Sequence, residues 1–365
     1  MFVYTIRRLF LIIPTILGIM AVSFLIIQFA PGGPIERIIS QIDGNDNSAL
    51  SRVSGGFNGD FTQSGQNTDI NNKYRGSQGL DPEFILELEK QFGFDKPPLE
   101  RFYLMITNYM RFDFGESYYR DIRVIDLIIE KLPVSVSLGL WMTLISYLIS
   151  IPLGMMKAVR DGTKFDLWTS TIIVISYALP GFLIAIFLII FFAGGSYLDW
   201  FPLRGLTSDN FNELSILGKV IDYIWHITLP LLSMVLAAFA TTTLLTKNSF
   251  LDEIGKQYVL TARAKGLTEK QVLKRHVFRN AMLIIVSGFP AAFISAFFTG
   301  SLLIETIFSL DGLGLLSFES IVNRDYAVVF ASLYIFSFIG LIINLISDLI
   351  YHWIDPRIDF EKRDL

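Results

Sequence analysis

The most regular feature of the chain is a series of long apolar runs, which show neither the alternation of a half-buried strand nor the polar face of a surface helix. About 20 apolar residues are needed to cross the hydrocarbon core of a bilayer as one helix. Six runs reach that length, so the pattern predicts six transmembrane helices. The predicted spans are Leu9 to Ala30, Leu132 to Met156, Leu167 to Ala193, Ile224 to Thr246, Ala281 to Ile304 and Tyr326 to Ile350.

The composition agrees with an all-α membrane protein. Charged residues make up 18% of the chain, whereas soluble domains carry about 25%. The chain contains no cysteine, which excludes disulfides, thiolate metal ligands and thiol nucleophiles. It also has no basic tail or stripe of the kind that binds nucleic acid, so nucleic acid is not an expected partner.

The distribution of lysine and arginine predicts which loops face the cytoplasm, because short cytoplasmic loops are enriched in both residues. Arg7 and Arg8 precede the first span, and segment 247–280 carries eight basic residues against three acidic ones. Segment 305–325, by contrast, has Arg324 as its one basic residue. Both termini are therefore predicted to be cytoplasmic.

The spans and loops together predict the domain organisation. The first apolar run is longer than the roughly 7 to 15 residues of a signal peptide, so we expect a retained signal anchor rather than a cleaved leader. The stretch 41–79 is rich in Gly, Asn, Ser and Asp, so it has little apolar surface to bury and is expected to be mobile. The predicted regions are an N-terminal transmembrane helix (1–30), a periplasmic segment (31–131) with a mobile insertion (41–79) and short surface helices (81–131), a five-helix core (132–350) with a cytoplasmic loop (247–280), and a cytoplasmic tail (351–365).

The basic loop 247–280 carries the signals of a helical hairpin. Asp252 to Lys265 favours helix, and Gly266 is expected to end it. A second helix is predicted from Thr268 to Phe278, opened by a capping box between Thr268 and Gln271. Such a hairpin would project a rigid basic surface into the cytoplasm.

Two segments of this hairpin, YVLTARAKGL beginning at Tyr258 and HVFRNA beginning at His276, resemble the EAA loop of binding-protein-dependent ABC permeases, in the form of the dipeptide and oligopeptide branch. Leu260 stands where the general motif has its glutamate, Thr261 where it has its first alanine, and Arg279 where it has a later proline. The resemblance implies that the first helix is a coupling helix, which docks in a cleft of an ATPase subunit. The residues it assigns to coupling are Tyr258, Thr261, Ala262, Arg263, Ala264, Lys265, Gly266 and Leu267, with His276, Arg279 and Asn280 in the second helix. A surface loop whose basic residues only set the topology is the alternative interpretation.

The resemblance to this family extends over nearly the whole chain. The long insertion ends in Tyr74-Arg75-Gly76 and Gly79-Leu80-Asp81-Pro82-Glu83. It is most similar to that of YejB-type permeases, a subgroup associated with uptake of microcin C and other oligopeptides. The resemblance implies a type I ABC importer permease fold in the bacterial inner membrane, with six transmembrane helices and a periplasmic insertion between the first two. The other matching segments are Ile6 to Pro34, Phe92 to Pro97, Phe112 to Ser117, Phe308 to Gly314, Arg324 to Tyr326 and Asp355 to Arg357.

Motifs for chemistry are missing from the sequence. No G-x-x-x-x-G-K-[ST] loop is present, so we expect no cofactor on this chain and place ATP and Mg²⁺ on a partner ATPase. No metal site or catalytic residue is expected, because His226, His276 and His352 lack metal-binding spacing. Two other classes of membrane protein are not favoured by the sequence. An intramembrane hydrolase would need a nucleophile with a base, and a secondary carrier would need carboxylates within its spans.

Neutral polar side chains within the predicted spans are candidates for a peptide path, because they offer hydrogen bonds to peptide backbones. Ser and Thr in spans also bond to their own or a neighbouring helix, which is the alternative. The candidates are Thr143, Ser146, Tyr147, Ser176 and Tyr177.

These observations together predict a permease subunit of an ATP-driven importer for oligopeptides or peptide-like compounds of the microcin C kind. The expected partners are the lipid bilayer, a second permease subunit of different sequence, ABC ATPase subunits, a periplasmic substrate-binding protein and the peptide substrate. An ABC permease for nickel, glutathione or another small solute is the closest alternative.

Overall fold

The structure is a computed structural model that describes residues 2–29, 33–35, 38, 83, 86, 89–90, 94–120, 122–193, 195, 197–298 and 301–354. The predicted mobile insertion 41–79, much of the start of the predicted surface-helix region (81–131) and the tail from 355 onward lie outside the described residues. Within the described residues the chain is helical, with one isolated β-bridge between Glu116 and Arg123. The helices are α1 (Phe2–Phe29), α2 (Pro98–Tyr109), α3 (Val124–Val159), α4 (Lys164–Ala178), α5 (Gly181–Phe192), α6 (Ile216–Ile254), α7 (Gln257–Ala264), α8 (Glu269–Val272), α9 (Phe278–Phe298), α10 (Ser301–Ile307), α11 (Leu313–Asn323) and α12 (Tyr326–Ile354).

Five segments in the described part of the chain are long and apolar enough to cross a membrane as single helices. The third predicted span, Leu167 to Ala193, is instead a bent pair, because α4 and α5 meet at an angle of 94°. The break falls at Leu179 and Pro180, which are both extended. Proline has no N–H for the helical ladder and disfavours helix in the residue before it. Six spans are present when this pair counts as one, which confirms their predicted number.

Other span boundaries also differ from those predicted. The second span, α3, begins at Val124 rather than at Leu132, so residues 124–131 are part of this helix and not a separate surface helix. The fifth span begins at Glu269, because α8, a π-helical segment (Leu273–Val277) and α9 follow one another without a break. The second helix of the hairpin is therefore the start of this span rather than a separate helix that ends at Phe278. The fourth span, α6, has 39 residues, so it is about 58 Å long against a hydrocarbon core of about 30 Å.

The chain folds as two compact units. The first comprises Met1–Leu9, Lys131–Leu316 and Ile339–Leu365. Its core surrounds α6, where Met234 and Phe239 pack with apolar side chains of α3, α5 and α10. The second comprises Phe10–Glu130 and Ser317–Phe338, and its centre is aromatic. The rings of Tyr109, Phe112, Phe114, Tyr334 and Phe338 meet there, mostly edge to face.

Candidate functional site

The hairpin between α6 and α9 begins with a break that the sequence did not indicate. The predicted helix Asp252 to Lys265 is two helices, since α6 ends at Ile254 and α7 starts at Gln257. Gly255 caps α6, and its N–H donates to the Leu251 carbonyl at 3.2 Å. The result is an isolated eight-residue helix, α7, held between two turns.

The turn after α7 is a Schellman motif centred on Gly266, whose φ of +82° is in the left-handed region. The Gly266 N–H donates to the Arg263 carbonyl at 2.9 Å, and the Leu267 N–H reaches back to the Ala262 carbonyl at 3.3 Å. Residues with a Cβ are disfavoured at this φ, so glycine is needed here for backbone reasons. Gly266 as the end of the first hairpin helix is confirmed.

The predicted capping box at the next helix is also present. The Gln271 N–H donates to Thr268 Oγ1 at 3.4 Å, and the Thr268 N–H donates to Gln271 Oε1 at 3.0 Å. These two bonds satisfy backbone donors that the first turn of a helix otherwise leaves to water. The capping box thus fixes the start of α8, the beginning of the second hairpin helix.

The inner face of α7 is buried in an apolar cluster, which we call the anchor cluster. Val259 is fully buried and Ala262 is 5% exposed. The anchor cluster joins α7 to the ends of three long helices through Ala158, Phe250, Val259, Ala262, Val272, Val277, Ala281 and Ile285. Ser249 Oγ also donates to the Ala281 carbonyl at 2.7 Å. A displacement of α7 therefore has to move the ends of α3, α6 and α9 with it.

Tyr258 joins three parts of the hairpin by hydrogen bonds. Its hydroxyl donates to Glu253 at the end of α6 and accepts from Asn280 Nδ2 in α9 at 3.2 Å. Burial, together with the bond to the Glu253 carboxylate, raises the pKa of Tyr258 to about 12. The phenol therefore stays protonated at physiological pH. Sequence reasoning selected Tyr258 and Asn280 but missed Glu253, which lies outside the matched segments.

The outer face of α7 is exposed. Leu260 has 58% of its surface exposed, and Thr261 and Ala264 lie on the same open side of the helix. Arg263 makes a two-bond ion pair with Glu269 across the turn, with Nε to Oε1 at 2.8 Å and Nη2 to Oε2 at 2.9 Å. An exposed pair of this kind contributes at most about 1 kcal/mol, so it braces the turn without dominating its stability.

The remaining predicted coupling residues follow the same division. Lys265 and Arg279 are exposed, whereas Leu267 is half-buried against the anchor cluster. His276 is half-buried in the π-helical segment. The structure thus brings all the predicted coupling residues into one hairpin, some as its outer surface and others as its support.

A buried ion cluster next to the hairpin was missed by the sequence reasoning. Lys157, the residue before Ala158 of the anchor cluster, is fully buried. Its Nζ lies 2.9 Å from Asp166 Oδ1 and donates to Thr169 and Ser170, each at 2.8 Å. Lys247 lies 2.8 Å from the same aspartate. Buried charges are tolerated when they are paired in this way, and these pairs connect α3, α4 and α6.

The candidate path residues are divided between two helices. Thr143, Ser146 and Tyr147 share one face of α3 by their spacing, and Tyr147 packs edge to face on Phe289 at 5.4 Å. Thr143 Oγ1 donates to the Gly139 carbonyl of its own helix at 2.7 Å, as the alternative interpretation anticipates.

Of the other path candidates, Ser146 Oγ is buried and has no hydrogen-bond partner among the described residues. Ser176 is half-buried and Tyr177 is 67% exposed on α4. The structure therefore does not gather the five candidates into one cluster.

Comparison with known proteins supplies the family. Residues 150–360 match the family described as "Binding-protein-dependent transport system inner membrane component". The "Peptidoglycan transport system permease protein YejB" of Agrobacterium fabrum is 67% identical over 99% of both chains. The "Inner membrane ABC transporter permease protein YejB" of Escherichia coli O157:H7 is 56% identical, again over 99% of both. The "Oligopeptide transport system permease protein AppB" of Bacillus subtilis is 32% identical over 98% of this chain and 99% of that protein.

These matches confirm the predicted resemblance to peptide-type ABC permeases, the YejB-type subgroup included, and with the helical architecture they confirm the predicted fold class. The chain belongs to the family of inner membrane components of binding-protein-dependent transport systems.

Proposed function

We propose that this chain is the membrane-spanning subunit of an importer for peptides or peptide-like compounds, and that the outer face of α7 is the docking surface for a separate ATPase. As a member of its family the chain is a transport component of the inner membrane rather than an enzyme. One observation carries the docking proposal: α7 is exposed on one face and clamped to three helix ends on the other.

This construction suits the transmission of force. A short helix fixed by a Schellman turn, a capping box and the anchor cluster has few internal degrees of freedom, so motion of a docked protein passes to the long helices instead of being absorbed. ATP and Mg²⁺ would be held and used by the ATPase. Closure of two ATPase subunits would then rock two permease subunits between outward-open and inward-open states that bind the substrate differently.

The orientation follows from the same proposal. Docking with a cytoplasmic ATPase requires that α7 face the cytoplasm, and the excess of basic residues in 247–280 supports this placement. With six spans, both termini then lie in the cytoplasm. A periplasmic binding protein would deliver the substrate on the opposite side, and a second, different permease subunit would complete the path. Along α3, we propose Ser146 and Tyr147 as lining residues of that path.

The substrate class is drawn from the relatives. Their names assign peptidoglycan transport to one and oligopeptide transport to another. Short peptides, either free or attached to another group, fit both descriptions. Microcin C-like compounds belong to this class. An ABC permease for nickel or glutathione is the alternative.

A charge placed on the outer face of α7 tests the docking surface. Leu260→Asp is expected to reduce co-purification with the ATPase at least tenfold and to abolish peptide-stimulated ATP hydrolysis, because a carboxylate would be desolvated at an apolar contact. Leu217→Asp is the matched control, since Leu217 is 70% exposed at the start of α6. Normal ATPase binding by Leu260→Asp, with normal peptide uptake, would contradict the proposal.

A further inference from the structure

The second compact unit contains a cavity that the coupling mechanism does not use. Its volume is about 640 Å³, which is within the usual range for pockets that bind small molecules. All its lining residues belong to the unit formed by Phe10–Glu130 and Ser317–Phe338. They come from α1, α2, the start of α12 and the segments around Phe94 and Ser117.

A buried carboxylate fixes one wall of this cavity. Ser117 Oγ and the Tyr118 N–H both donate to the carboxylate of Asp325, the residue before α12. Gly115 turns the chain with a φ of +72°, and its carbonyl accepts from the Val124 N–H at 3.0 Å. Burial raises the pKa of Asp325. The matching segments Phe112 to Ser117 and Arg324 to Tyr326, far apart in the sequence, are thereby joined at one site.

The cavity wall is rich in cations. Lys90, Lys96 and Arg101 line it, and Glu116 supplies a carboxylate. The Arg101 guanidinium is held in position, because it lies 4.6 Å from the centre of the Phe94 ring and Nη2 donates to Gln28 Oε1 at 2.8 Å. A guanidinium fixed in this way loses little entropy when it binds a carboxylate.

We propose that this cavity binds a short peptide at its termini, with the C-terminal carboxylate at the cluster of Lys90, Lys96 and Arg101 and the N-terminal ammonium at Glu116. The proposal rests on the proposed function, since it names a recognition site for the peptide cargo. A free peptide is a zwitterion and matches a wall that carries both signs. The aromatic lining, which includes Tyr109 and Tyr118, offers apolar faces to the side chains between the termini.

Peptide binding to the full-length chain in nanodiscs of phosphatidylcholine tests this site directly and needs no ATPase. The probes are tri-alanine as the free acid and tri-alanine with a C-terminal amide. We expect the amide to bind at least tenfold more weakly, because it removes a charge-assisted contact. Affinity for the free acid should also fall as salt is raised, since Lys90 and Lys96 are exposed.

Variants separate a binding role from a structural one. Arg101→Gln should weaken binding of the free acid at least tenfold and leave that of the amide within twofold. Lys96→Gln should act in the same direction, and because it alters an exposed side chain it serves as the test if Arg101→Gln fails to fold. Arg111→Gln is the matched control, because Arg111 is exposed in the same unit and does not line the cavity. Equal affinities for acid and amide would overturn the proposal.

A lipid headgroup is the competing occupant. If phosphatidylglycerol in the nanodisc displaced tri-alanine while the acid and the amide bound equally, the cavity would be a lipid site and the proposal would fail. Failure of the cavity proposal can be told apart from failure of the proposed function. Peptide uptake that depends on α7 but is unchanged in Arg101→Gln and Lys96→Gln would remove the cavity from the mechanism and leave the importer intact.

Discussion

The hairpin and the cavity of the second compact unit are built in opposite ways. The hairpin is supported by close apolar packing and by hydrogen bonds between residues near in sequence, such as Thr268 with Gln271. The cavity is held by contacts between distant segments, such as Ser117 with Asp325, and its lining cations are exposed or half-buried. Close packing transmits displacement, whereas an open charged wall can adapt to a ligand. The comparison indicates that α7 is placed for the transmission of motion, whereas the cavity combines a fixed guanidinium, Arg101, with exposed lysines.

The largest expected effect is from Gly154→Ala, which breaks the support beneath the hairpin. A Cβ at this position would lie 2.6 Å from Thr246 Cβ and 2.8 Å from the Thr243 carbonyl oxygen. The carbonyl belongs to helix backbone and cannot move aside, so α3 and α6 would be forced apart. We expect loss of most folded protein, measured as monodisperse yield in detergent. Gly18→Ala in α1 meets no neighbour within 4 Å and should keep wild-type yield. Equal yields for both variants would show that the helices are not closely packed at Gly154.

Sequence signals predicted the turn and the helix cap of the hairpin, but neither the break after Ile254 nor the ion cluster. Gly266 and the Thr268–Gln271 capping box act within a few residues, so the local sequence determines them. The pair between Lys247 and Asp166 joins positions 81 residues apart, and no local pattern records it. At the bend between α4 and α5, Pro180 marks an interruption in the helix, but it does not set the 94° angle.

A medium effect is expected from Gly266→Val, which changes the turn and leaves the anchor cluster in place. A β-branched residue at a φ of +82° costs about 1 to 3 kcal/mol. The spans should still insert, but peptide uptake and peptide-stimulated ATP hydrolysis should fall at least tenfold. Gly255→Ala is the matched control, because Gly255 has a φ of −76° and its Cβ would meet only ordinary contacts. If Gly266→Val transported peptide normally, the turn would have no part in coupling.

The smallest effect is expected from Thr268→Ala, which removes one side of the capping box. Loss of such a cap costs about 1 kcal/mol, and the anchor cluster holds Val272 in place. We expect a decrease of a few degrees in the melting temperature and less than a threefold change in uptake. Ser287→Ala removes a hydroxyl that donates to the Ile284 carbonyl of its own helix at 2.8 Å, and it is the comparable substitution outside the hairpin. A loss of uptake as large as that of Gly266→Val would mean that local capping, rather than packing, supports α7.

Single-cysteine labelling tests the central claim most directly, because the native chain has no cysteine. Leu260→Cys places a thiol on the exposed face of α7, and Leu217→Cys places one at the start of α6. A membrane-impermeant maleimide should label position 260 only when the cytoplasmic side is accessible, and the assembled ATPase should protect it at least tenfold while position 217 gains no protection. Equal labelling of position 260 with and without the ATPase would contradict the account.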